Sequence, residues 1–143
     1  MAGKDIHALI RLKKWMVDEE RRILGQMLAQ EAVVARRRAA LEDEVRREQT
    51  VAAADPAGLA GRAYGDFAAA AVARRTRLDQ ERILLEAAIS GQRDKVAEVY
   101  RDFKTLEQIQ KNRDLRAAAE RARKEQAALD EIAAINHRRR NAG

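Results

Sequence analysis

The sequence of 143 residues contains no cysteine, a single proline, and aromatic residues at only 3% of positions. Without cysteine there is no disulfide, no thiolate nucleophile and no thiolate metal site, which fits a cytosolic setting. So few large rings, in a chain that is 36% charged, leave little material for a globular core. No apolar run approaches the roughly 18 residues of a membrane span. The opening MAGKDIHALIRLKKW is charged throughout and lacks the apolar centre of a signal peptide. A soluble, intracellular protein is expected. No phosphate-cradling glycine loop, paired zinc ligands or nucleophile motif occurs. His7 and His137 stand near opposite ends of the chain. No catalysis, cofactor or metal is therefore expected.

What the chain does have is Ala, Arg, Glu, Leu and Lys in periodic order, the composition of long helices and coiled coils. A first helix is expected from about residue 4 to 53. Its apolar seam reads Ile6, Ile10, Val17, Leu24, Met27, Val34, Leu41, Val45, in heptad-like steps. Lys13, Glu20, Glu31 and Arg38 interrupt that seam. A turn is expected at about 54–63, where DPAGLAGRAYG holds the proline and three of the seven glycines. Asp55 suits an N-cap, with Pro56 at the first helical position. A second helix is then expected from about 63 to 137, with Leu85, Ile89, Gln92, Val96, Val99, Phe103 and Leu106 on one face.

The fold class these features predict is all-α, a single domain over residues 1–143. It is a long antiparallel two-helix coiled-coil hairpin with an overhanging C-terminal helix. Facing residue numbers then sum to roughly 112–118, so helix one runs out opposite about residue 110. The apolar phase slips at that level, through QIQKNRD. A thinner stripe follows at Leu115, Ala119, Ala122, Gln126, Leu129 and Ala133, on a projecting helix some 40 Å long. Gly25 and Gly91 fall at nearly one height, which marks a close approach, a bend, or simply drift in a long helix.

Three apolar side chains point away from the seams: Trp15, Val72 and Ile83. They are candidate partner contacts, Trp15 because tryptophan is enriched at binding hot spots. Arg36-Arg37-Arg38 and Arg74-Arg75 with Arg77 form one basic band; Arg121, Arg123, Lys124 and Arg138-Arg139-Arg140 form a basic pole. The formal net charge is +6, so a basic coiled-coil nucleic-acid-binding protein is one alternative. No groove-reading fold or set of stacking aromatics accompanies the arginines, and nucleic acid is not the expected partner. A self-assembling scaffold is a further alternative.

Residues 100–134, YRDFKTLEQIQKNRDLRAAAERARKEQAALDEIAA, resemble the C-terminal region of the FliJ family of flagellar export proteins. The matching positions are Lys104, Leu106, Glu107 and Arg113, then Glu125, Gln126, Leu129, Asp130 and Glu131; Ile109 replaces the usual leucine. LIRLKKWMVDEERR, residues 9–22, is similar to the opening of such proteins. The related YscO-like stalk proteins of virulence secretion systems share the architecture. The resemblance implies a non-enzymatic stalk that binds and activates the hexameric export ATPase. It also implies coupling to the export gate membrane protein and handling of export chaperones. The protein would then be cytoplasmic, bound peripherally to the flagellar basal body at the inner membrane, and needed for motility. Candidate ATPase contacts are Arg113, Arg121, Arg123, Lys124, Glu125, Gln126, Leu129, Asp130 and Glu131.

Overall fold

The computed structural model describes residues 2–142, with side chains from residue 5 onward. Two α-helices account for almost all of it: α1, Ala2–Ala54, and α2, Leu59–Ala142. They pack against each other, and no strand occurs among the described residues. By mutual contact the chain divides into two units. One takes the residues up to Trp15 together with those from Tyr100 on, and the other takes Met16–Val99.

In the unit Met16–Val99 the seam is as the periodicity predicts. Val17, Val34 and Leu41 of α1 are buried, as are Ala71, Ile89 and Gln92 of α2. Leu24, Met27, Val45, Leu85 and Val96 are half-buried beside them. A 3,4-spaced apolar stripe gives each helix one face to remove from water, and that burial is what holds such long helices in place.

The charged positions on this seam are not breaks in it. Glu20 and Arg38 are half-buried, and both find partners on the other helix. Gln92 Nε2 donates to the backbone oxygen of Glu20 at 3.0 Å and also to its carboxylate. Arg38 Nε donates to Asp79 at 3.0 Å, and Arg38 also meets Glu42. Glu42 in turn accepts from Arg75 at 2.9 and 3.2 Å, while Arg74 reaches Glu44 at 3.2 Å. Higher numbers on α1 meet lower numbers on α2 throughout this set.

The turn is shorter than the glycine spacing suggests, and α2 starts at Leu59. Gly58, not Asp55, fills the N-cap place, its oxygen accepting from Arg62 N–H at 3.3 Å. Asp55 contributes its backbone oxygen, which accepts from Gly58 at 3.3 Å and Gly61 at 3.2 Å. Pro56 therefore lies in the turn, ahead of the helix. A Cβ on Gly61 would overlap the Pro56 carbonyl, so glycine is needed there for close approach. Gly61 falls within the expected turn yet is helical, and Gly65 is helical as a second helix from about 63 implies. Among the described residues α2 continues to Ala142, past the expected end at about 137.

In the unit built from the chain's two ends, Ile6 is buried and Ile10, Phe103, Leu106 and Gln110 are half-buried. Lys13, another seam interruption, is half-buried and pairs with Asp102 at 3.7 Å. Beyond Gln110, every described residue of α2 is exposed.

Candidate partner-binding surface

The segment after Gln110 stays helical to Ala142 although it buries nothing. Helix-forming alanines favour this, and pairs three and four residues apart add support. Arg123 meets Glu120 at 2.6 Å, and Gln126 donates to Asp130 at 2.9 Å. Four large apolar side chains lie in water here: Leu115, Leu129, Ile132 and Ile135.

At 100° per residue, Leu115, Ala118, Ala122, Glu125, Gln126, Leu129, Ile132 and Ala133 share one face. Arg121 flanks that face on one side and Asp130 with Arg123 on the other. Lys124, Glu131 and Arg113 turn toward the opposite face. The candidate contacts named from sequence are thus all exposed but do not form one cluster. Only Glu125, Gln126 and Leu129 lie on the apolar stripe itself. Near the start of the stripe, Ile10, Gln110, Asp114, Leu115, Ala118 and Arg121 line an open groove. Gln110 Oε1 is buried there without a hydrogen-bond partner, while its Nε2 donates to Asp114 at 2.8 Å. A different groove, with Ile6, Leu9, Leu106 and Ile109, holds Arg113.

Just ahead of this segment, Lys104 reaches Glu107 at 2.8 Å and lies over the Tyr100 and Phe103 rings at 5.6 and 5.5 Å. The hydrogen bond to Glu107 is the main reason the Lys104 pKa is raised, with the Glu107 charge adding to it. This exposed pair brackets Leu106, which faces the seam. The spacing KxLE therefore places one apolar anchor and one ion pair on adjoining faces of a single turn.

Trp15, Val72 and Ile83 are all exposed as the helical phase predicts, Ile83 beside an equally exposed Leu84 that sequence reasoning passed over. Val72 and Ile83 share one line along α2, because eleven residues make close to three whole turns. In the basic band, Arg38, Arg74 and Arg75 are engaged by Asp79, Glu44 and Glu42. Arg37 and Arg77 line a groove with Ala40, Leu78 and Glu81. Carboxylates across the helix pair thus offset much of the band, which a reading of arginine runs alone does not reveal.

The profile of the flagellar FliJ protein family matches residues 3–142, nearly the whole length. The chain belongs to that family. No curated protein and no solved structure matches it. FliJ membership makes the chain a non-catalytic, export-related component of the flagellum. No described helix is long and apolar enough to cross a membrane. Among the described residues, no group of three or more His, Asp or Glu side chains is placed to hold a metal ion.

Proposed function

We propose that this FliJ-family chain is a stalk that binds and activates the hexameric export ATPase and couples it to the export gate, and that it also handles export chaperones. In this reading α1 and α2 form an antiparallel hairpin, and the end of α2 overhangs it. The cross-helix pairs within each unit support the antiparallel sense and agree with the register expected from sequence. The overhang is supported by the unbroken exposure of residues 111–142.

That exposure carries the functional reading. A helix that holds its shape while leaving Leu115, Leu129 and Ile132 in water is built for contact with something outside the chain. The stripe is thin and mostly alanine. Little apolar area would be buried on contact, so binding is moderate and does not lock one state of a cycling ring. The proposed contacts on the stripe are Glu125, Gln126 and Leu129, with Arg121, Arg123 and Asp130 at its edges. Lys124, Glu131 and Arg113 suit a lumen that surrounds the helix. Trp15, Val72 and Ile83 are proposed contacts for the other partners.

Binding of the purified chain to the cognate ATPase tests this. Leu129→Asp with Ile132→Asp is expected to weaken binding at least tenfold, with the helical circular dichroism of the chain kept. Unchanged affinity in that variant contradicts the proposed face.

A further inference from the structure

We propose that the exposed end of α2 pairs, antiparallel, with the same segment of a second copy of this chain. The face concerned carries Leu115, Leu129 and Ile132, each more than half exposed. Ala118, Ala122 and Glu125 lie between them on the helical phase. A carboxylate on an apolar face is out of place unless a cation covers it. Arg121 borders the face on the side of Glu125, four residues back. Neither Arg121 nor Glu125 forms an ion pair among the described residues, and the order Arg before Glu is the weaker one for pairing within a helix.

An antiparallel pair of like chains is isologous: residue i of one copy meets residue j of the other, and j meets i. Seating Leu129 on Ala118 of the second copy, large against small, makes facing residue numbers sum to about 247. Leu115 then meets Ile132. With nothing further adjusted, the same register brings Arg121 level with Glu125 of the second copy, on one side of the interface and twice by symmetry. Arg140 comes level with Glu107, the partner of Lys104, and Arg116 with Asp130 on the far flank. Of the other charges near the face, Asp114 is held by Gln110 and Lys111 comes level with Asn136. Arg123 alone comes level with its own kind, and Glu120 already binds it at 2.6 Å. Parallel pairing fails on the same side chains, because Arg121 would stand beside Arg121 and Glu125 beside Glu125. Charge thus selects both the occupant and its direction. The alanines at the centre keep the buried area small, so the association is reversible. Self-pairing does not depend on the ATPase reading. Both use this stripe, so a paired chain withholds it from the ATPase.

Sedimentation equilibrium of the full chain alone, from roughly 1 to 500 μM, is expected to show monomer and dimer in equilibrium. Arg121→Glu is expected to weaken the dimer roughly tenfold or more. Arg121→Glu with Glu125→Arg is expected to restore it, both variants keeping the helical circular dichroism. The chain has no cysteine, so introduced ones report the direction. An oxidised mixture of Ala118→Cys and Leu129→Cys chains is expected to give the mixed dimer, and neither variant alone to cross-link. Three results overturn the proposal. One is a monomer throughout the concentration range. Another is a dimer that Arg121→Glu leaves as strong, which places the contact elsewhere. The third is cross-linking of Leu129→Cys chains to each other, which makes the pairing parallel. Each is read without the ATPase, so failure here leaves the ATPase reading standing.

Discussion

Gly25 and Gly91 stand at helical positions where a Cβ would meet nothing within 4 Å. Of the explanations open in sequence, close approach is thereby removed. Gly25→Ala and Gly91→Ala are each expected to stabilise the chain by about 1 kcal/mol, read from denaturant unfolding followed by circular dichroism. Gly61 behaves oppositely, because its Cβ would overlap a backbone carbonyl that cannot swing aside. Gly61→Ala is expected to lower the stability read in the same assay. Glu42 contributes a pH dependence to stability. Its hydrogen bond from Arg75, with the nearby charges of Arg75 and Arg38, holds its carboxyl below the usual glutamate range. A folded-state pKa below the unfolded one means the stabilisation is complete above the unfolded value. It is lost as pH falls through the folded value. Glu42→Gln is therefore expected to melt lower than wild type at neutral pH and together with it in strong acid. The group is only half-buried, so the difference is small and shrinks in high salt.

Each helix owes its legibility in sequence to the spacing of its apolar residues. Val17, Val34, Leu41 and Ile89 recur on one side of a 3.6-residue turn, and that side is the buried one. What periodicity does not carry is the partner of a polar seam residue. Glu20 and Gln92 are 72 positions apart, so as isolated letters they look like faults in two separate stripes. Only the packing of α1 on α2 makes them one polar layer. The turn is shorter than expected for a related reason: glycine marks flexible backbone, yet Gly61 is helical. At Gly61 the requirement comes from a carbonyl contact. The Glu20–Gln92 layer gives a sharp prediction. Gln92→Ala alone is expected to destabilise by about 1–3 kcal/mol, because it leaves Glu20 short of a partner in the seam. Glu20→Leu with Gln92→Leu is expected to restore or exceed wild-type stability in denaturant melts. That outcome would assign the pair the role of fixing the register of the two helices.

For the molecule as a whole, the family is the part of the function that sequence made visible, through the order of Lys104, Leu106, Glu107, Arg113 and the EQxxLDE stretch ahead of the terminal arginines. The placement of candidate contacts was less visible, since residues close in number point to different sides of one helix. Arg121 and Lys124 are three apart and lie at the edge and back of the stripe. The structure supplies a long exposed end to α2, and the role proposed for this end is to act on the export ATPase. The most direct measurement is steady-state ATP hydrolysis and hexamer formation by the cognate ATPase, with the full chain and with a chain ending at residue 114. The full chain is expected to raise both, and the shortened chain, still helical, neither. Equal stimulation by the two chains contradicts a role for the end of α2 in acting on the ATPase.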